Sequence, residues 1–206
     1  MNLHFAVCAG VLSLLALLWL AYRYSLFLPA RDGLPILLYH KVSSNHEDLL
    51  TISTDRFDRQ LAYLALQGYT AISFVDLKEF VAGRRALPAK PIIITFDDGY
   101  LSTYELAYPL LAKRGFVATV FLPTAAIGGG PSWPGASDPL MSWEIVAKLA
   151  RIQPPGNTSP RPFIEFGMHS HRHETYVPYT AAQIEADLSD CLRTCLLYTS
   201  PSPRDA

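Results

Sequence analysis

From Gly33 to Thr194, short and nearly continuous apolar runs alternate with stretches in which apolar residues recur every three or four positions. The first pattern marks strands buried on both faces, the second helices with one face inward. Pro35 to His40 (PILLYH) reads as a buried strand. Thr54 caps a helix in which Phe57, Leu61, Leu64 and Ala65 share a face. Tyr69 to Phe74 is a second strand, Val75 to Val81 a short helix, and Pro91 to Phe96 (PIIITF) a third and most apolar strand. A helix over Thr103 to Arg114 stops at Gly115, and Phe116 to Leu122 is a fourth strand. After a Gly/Pro-rich loop from Gly128 to Pro139, Ser142 opens a helix to about Ala150. A second loop (PPGNTSPRP) leads to a fifth strand, Phe163 to Gly167. Strands and helices in alternation predict a parallel sheet covered by helices. Residues 31–194 are fewer than the roughly 250 of a full barrel, so the expected fold is α/β, an incomplete (β/α) barrel.

Both ends depart from this alternation. Phe5 to Tyr22 carries no charge and has only Ser13 as a strongly polar residue. As a helix it rises about 27 Å, near the thickness of a bilayer's hydrocarbon core, and it shows no polar face. No good small-x-small cleavage site follows; Leu28-Pro29-Ala30 is a weak candidate, and Cys8 follows Val7 rather than the small residue of a lipoprotein signal. Residues 1–30 are therefore expected to be a membrane anchor or signal segment, with one N-terminal transmembrane helix and an uncleaved anchor favoured over a secretory signal. At the other end Thr180 and Gln183 make a capping box, and Ile184, Leu188, Cys191 and Leu192 fall on one helical face. The periodicity gives way at Cys195 to CLLYTSPSPRDA. That string resembles a transposase sequencing adapter translated as coding DNA, and 195–206 is set aside as an artefactual tail; the bland alternative is a flexible Pro-rich terminus.

The chain has 206 residues, 50% hydrophobic, with a formal net charge of -1. That balance argues against a nucleic-acid partner, which calls for a basic excess, and against disorder. Three cysteines give no disulfide framework.

Two clusters carry chemistry, and each follows an expected strand. In Thr95-Phe96-Asp97-Asp98-Gly99-Tyr100, neighbouring carboxylates on a regular strand point to opposite faces. They share a pocket only if the strand breaks there, and Gly99 supplies the freedom to turn. The plain alternative is an Asp-Gly turn ending a strand. The second cluster is Glu165-Phe166-Gly167-Met168-His169-Ser170-His171-Arg172-His173. His169 and His173 are spaced so that one helical turn brings both imidazoles to one face. Two histidines and one carboxylate meet the three-ligand, open-position pattern of a catalytic zinc. Alone this is a solvated His-rich loop; with the Asp-Asp-Gly run it becomes a metal site with a spare carboxylate.

These two runs, the opening PILLYH and the spacing between them resemble the polysaccharide deacetylases of carbohydrate esterase family four, the NodB-homology domain. The resemblance covers about Leu34 to His173. It implies that Asp98, His169 and His173 bind a divalent metal, zinc by default with cobalt or nickel as alternatives. It also implies that Asp97 is the general base, with His171 a neighbour rather than a ligand. The family's later motifs, an Arg-containing stretch, an Asp/Trp stretch and a Leu-x-His supplying the acid, are not found before Thr194. Leu38-Tyr39-His40 is itself Leu-x-His, and biofilm poly-N-acetylglucosamine deacetylases resemble a permuted form with the acid on such an early strand. His40 is thus the candidate general acid, against a strand-end histidine held for structural reasons. Trp133 is open between stacking on a sugar and anchoring its loop. Asn157-Thr158-Ser159 is an incidental sequon.

The resulting expectation is hydrolysis of N-acetyl groups on an N-acetylhexosamine polysaccharide. Alternatives are a peptidoglycan or O-acetyl-polysaccharide substrate, or a carbohydrate-binding relic without turnover. Expected partners are the acetylated polymer and, through the N-terminal helix, the cell membrane. Arg23 and Arg31 after the apolar segment favour a cytoplasmic domain by the positive-inside rule, but the substrate favours a single-pass protein with an extracytoplasmic domain. Residues 31–194 are expected to be unstable or inactive alone, since elements that close the core would be missing.

Overall fold

A computed structural model describes residues 3–23, 33–131, 133, 138–154 and 162–199. The chain divides into two compact units, Met1–Gly33 and Leu34–Ala206. In the first, α1 (Leu3–Arg23) coincides with the long apolar run. Among the described residues no helix is long and apolar enough to cross a membrane. The weak cleavage candidate at 28–30, Arg31, the sequon at 157–159 and residues 200–206 lie outside the described residues.

The second unit is built on a parallel sheet. Its strands are β1 (Ile36–Tyr39), β4 (Thr70–Ala71), β5 (Pro91–Phe96), β6 (Ala118–Leu122) and β7 (Ile164–Met168), in the order β1-β5-β6-β7 with β4 on the start of β5. Two three-residue strands, β2 (Lys41–Ser43) and β3 (Thr51–Ser53), make a separate parallel pair that the apolar pattern did not predict. Strand β5 is central, with β1 on one side and β6 on the other. That position accounts for its uninterrupted apolar run: Ile93, Ile94 and Phe96 have no solvent exposure. By contrast β1 is not the buried strand its sequence suggests. It lies at the edge, and Ile36 and Leu38 remain more than half exposed.

Helices α2 (Thr54–Leu66), α3 (Phe74–Val81), α4 (Tyr108–Lys113), α5 (Trp143–Leu149) and α6 (Ala181–Thr199) cover the sheet. In α2 the N-cap is Ser53 rather than Thr54, its hydroxyl accepting from the Arg56 amide at 3.3 Å. Phe57, Leu61 and Leu64 are buried, whereas Ala65 faces solvent. Phe57 seats the helix by meeting Tyr39 and Phe96 at ring separations of 5.1 and 5.8 Å. The expected second strand shortens to β4 because Ser73 and Asp76 form a capping box that starts α3 at Phe74. The expected helix over 103–114 begins as a π-turn, Thr103–Ala107, and becomes α-helical at Tyr108. Pro109 lacks an amide and cannot carry the regular ladder through, and the wider turn closes on Tyr108 N–H to Thr103 O instead.

Helix α6 starts at the expected capping box, where Gln183 and Thr180 bond reciprocally. Its buried stripe, however, passes through Asp187, Cys191 and Cys195, while Leu188 and Leu192 are 39% and 47% exposed. The helix also runs beyond Cys195 to Thr199.

Candidate metal centre

The C-terminal ends of β1, β5, β6 and β7 share one edge of the sheet, and each delivers part of the site. Strand β5 stays paired as far as Asp97, whose amide donates to the Tyr39 carbonyl at 3.0 Å. The chain then turns sharply, with φ of 69° at Asp98 and 68° at Gly99. A left-handed aspartate is uncommon and costly. Here it leaves both consecutive carboxylates in the field of His169, His173 and His40. Gly99 is obligatory for a second reason: a Cβ there would lie 2.6 Å from Leu122 Cδ2.

At the end of β7 the His169 amide donates to the Leu122 carbonyl at 3.0 Å. The histidines do not ride on a helical turn as their spacing suggested. Residues 169–173 form an irregular loop with φ of 64° at Ser170 and 57° at His173. The Ser170 hydroxyl accepts from the His173 amide at 2.9 Å and closes the turn. The imidazoles still converge, with ring centroids 5.1 Å apart.

Asp98 Oδ1 lies 3.0 Å from His173 Nε2 and 3.4 Å from His169 Nε2. One ligand atom from each of Asp98, His169 and His173 lies within 4.8 Å of the others. Metal bonds of roughly 2.0–2.2 Å in a tetrahedral site would place ligand atoms about 3.3 Å apart, so the carboxylate-to-imidazole distances already suit a cation. The buried oxygen itself fits the same reading. Among the described residues the close neighbours of Asp98 Oδ1 are the two imidazoles, neither in well-directed hydrogen-bond geometry, a costly state for a carboxylate 4% exposed unless a cation takes it up. The donor set of two imidazoles and one carboxylate is one that zinc favours.

Asp97 is outside this ligand group but within its field. Burial pushes its carboxyl above the ordinary range, against the opposing pull of His169 and His40. Burial acts on Asp98 too, but the His169 hydrogen bond and the charges of His173, His169 and His40 hold its carboxyl below the ordinary value. The Asp98 hydrogen bond raises His169, whereas burial lowers His173. His40 follows β1 directly and is half-buried beside Asp97. It lines a cleft with Tyr39, Asp48, Arg56 and Gln60. Trp133 lies against His173, with ring centroids 4.0 Å apart. Within this structure it packs on a candidate ligand rather than standing clear as a sugar platform. His171 turns away and shares a 2.8 Å hydrogen bond with the Thr124 hydroxyl.

Two charged residues at the site were not singled out from sequence. Lys41, 8% exposed, reaches Asp138 at 2.9 Å and lies over the Tyr100 ring. Asp187 accepts from the amides of His171 and Arg172. Their signal was only a charge beside an apolar run, which usually marks a solvated face.

The Polysaccharide deacetylase family model matches residues 84–203. YxkH of Bacillus subtilis (strain 168) is 35% identical over 95 residues, covering 46% of this chain and 33% of its own length. The poly-β-1,6-N-acetyl-D-glucosamine N-deacetylase of Escherichia coli (strain K12) is 32% identical over 82 residues, 39% of this chain and 12% of its own length. The chain thus spans a third or less of these curated relatives. Among solved structures, IcaB from Ammonifex degensii aligns with a TM-score of 0.67 at 26% identity, over 84% of this chain and 72% of that one. Sequence motifs, sheet and site agree with these likenesses, and the chain belongs to the polysaccharide deacetylase family.

Proposed function

We propose that the protein is a metal-dependent N-deacetylase of an N-acetylglucosamine polymer. The observation that carries this reading is the convergence of Asp98, His169 and His173 on one point, with Asp97 left beside them. Asp98, His169 and His173 would hold a divalent cation, zinc with cobalt or nickel as substitutes, whose charge would polarise an amide carbonyl and make water acidic near neutral pH. Asp97 accepts the proton of the attacking water, a role open to it because Asp98 supplies the carboxylate ligand. His40, on the far side of Asp97 from β6, donates a proton to the departing amine. The product is a free amine and acetate, so the polymer changes from neutral to cationic. The likeness to poly-β-1,6-N-acetyl-D-glucosamine N-deacetylases of Escherichia coli and Staphylococcus aureus supports the choice of polymer. Attachment to the cell membrane through 1–30, with the catalytic unit outside, is part of the same proposal; the uncharged run Phe5 to Tyr22 supports it.

Acetate release from poly-β-1,6-N-acetylglucosamine oligomers, with and without added Zn2+, tests the reading. Asp98→Ala is expected to lose both Zn2+ binding and acetate release. Asp97→Asn is expected to keep Zn2+ yet lose about 10²- to 10⁴-fold in turnover. His40→Ala is expected to keep Zn2+ with reduced turnover. Zn2+-independent release, or full activity in Asp97→Asn, would refute the mechanism.

A further inference from the structure

The backbone linking His169 to His173 is held from both sides. From the turn after β6, Thr124 and Ala125 donate their amides to the carbonyls of Ser170 and His171 at 3.3 and 2.9 Å. From α6, the Cys191 thiol donates to the Ser170 carbonyl at 3.0 Å. One turn earlier on the same helix, Asp187 takes two consecutive amides. His171 N–H donates to Oδ2 at 2.7 Å and Arg172 N–H to Oδ1 at 3.2 Å. The Tyr176 hydroxyl adds a 2.7 Å bond to Oδ2. The carboxylate is only 6% exposed. Burying it is costly unless donors surround it, and here three do.

We propose that Asp187 is a positioning residue of the metal centre: by clamping the amides of His171 and Arg172, it fixes the left-handed turn that aims His169 and His173 at Asp98. The inference rests on the metal-centre reading above. The chemistry is specific to a carboxylate. An apolar residue at 187 would fill the space but leave two amides without acceptors. Asparagine offers one acceptor oxygen and sets an N–H donor against the other amide. Neither holds both amides of the turn. Partners that orient metal ligands commonly change affinity by about 10- to 100-fold when removed.

Zn2+ titration and the visible absorption of the Co2+ form, measured on the protein and on Asp98→Ala, Asp187→Asn and Tyr176→Phe, test the assignment. Asp187→Asn is expected to bind Zn2+ about 10- to 100-fold more weakly, with shifted Co2+ bands. Tyr176→Phe is expected to move both readouts less and in the same direction. A merely structural role would lower the melting temperature and leave the Co2+ bands of folded molecules unchanged. Wild-type affinity and bands in folded Asp187→Asn would overturn the proposal. If that variant does not fold, Tyr176→Phe decides, and unchanged affinity and bands there overturn it. If the unmodified protein binds no Zn2+, or Asp98→Ala binds it equally well, the metal centre itself is refuted and the clamp with it.

Discussion

The aspartate end of β5 and the histidine loop after β7 serve the same candidate cation but are held in place by different forces. Asp98 is positioned by packing. It leaves the most buried strand of the sheet, and Gly99 beside it is pressed against Leu122 and Ile127, with Met141 close by. The histidine loop is half-exposed and is positioned by hydrogen bonds donated by Thr124, Ala125 and Cys191 and by those that Asp187 accepts. Both carry left-handed residues, so both need outside support to persist. A steric change should therefore break the first and a change of charge or protonation the second.

The largest effect is expected from Gly99→Ala. The methyl group meets Leu122 Cδ2 at 2.6 Å on a backbone with φ of +68°. The Asp97–Asp98 turn must then deform, and we expect Zn2+ binding to be lost together with a fall in melting temperature. Gly68→Ala is the matching control, since its φ is +75° but nothing lies within 4 Å of the new Cβ. It should cost only the left-handed backbone, roughly 1–2 kcal/mol, and leave Zn2+ affinity unchanged. Equal loss of binding in both variants would show that backbone conformation alone, not packing, sets the aspartate end.

The same contrast explains what was legible in sequence. PIIITF matched β5 residue for residue because a strand covered on both faces has no polar interruption to blur its limits. Asp97, Asp98 and Gly99 could be read as a site because only a broken strand makes sense of paired carboxylates followed by glycine. His169 and His173 were legible as a candidate pair but not in their path, because spacing alone cannot separate a helical turn from a loop pinned by distant groups. Asp187 was invisible for the same reason. A lone carboxylate is assigned outward by default, and the donors that permit its burial lie 11–16 positions earlier. That assumption put Leu188 and Leu192 inward and rotated the predicted face of α6. Strands β2 and β3 are too short to show any periodicity.

Acidification should take the two regions apart in order. In the cation-free protein the Asp98 hydrogen bond raises His169 above its ordinary value near 6.5. Protons therefore compete for that ligand from above pH 6.5 downward, and Zn2+ affinity should fall through this range. Asp187 behaves oppositely: burial raises its carboxyl, but the hydrogen bonds from His171, Tyr176 and Arg172 outweigh burial and hold it below its ordinary value of 3.8. For a depressed carboxylate the stabilisation is complete above the unfolded value and disappears as pH falls through the folded one. The loop should thus keep its anchor after the cation has left. Amide exchange at His171 and Arg172 should stay slow at pH 5, where proton competition at His169 already weakens Zn2+ binding, and accelerate only below about pH 4. Exchange that accelerates together with Zn2+ release would mean that the cation, not Asp187, holds the turn.

The smallest effect is expected where the two regions meet, at Trp133. His173 Nδ1 is buried and has no hydrogen-bond partner among the described residues, whereas a metal-ligating imidazole normally has its second nitrogen tied to an acceptor. What limits rotation of this ring is contact, since the indole of Trp133 lies 4.0 Å away between centroids. Removing the indole frees the imidazole in the cation-free state, an entropic loss of roughly 1 kcal/mol on binding, or about a fivefold weaker Zn2+ affinity in Trp133→Ala. Trp133→Phe keeps an aromatic face on the ring and should recover most of that affinity. If Trp133→Phe binds as weakly as Trp133→Ala, the indole acts through something other than its face, and His173 belongs with the polar half of the comparison after all.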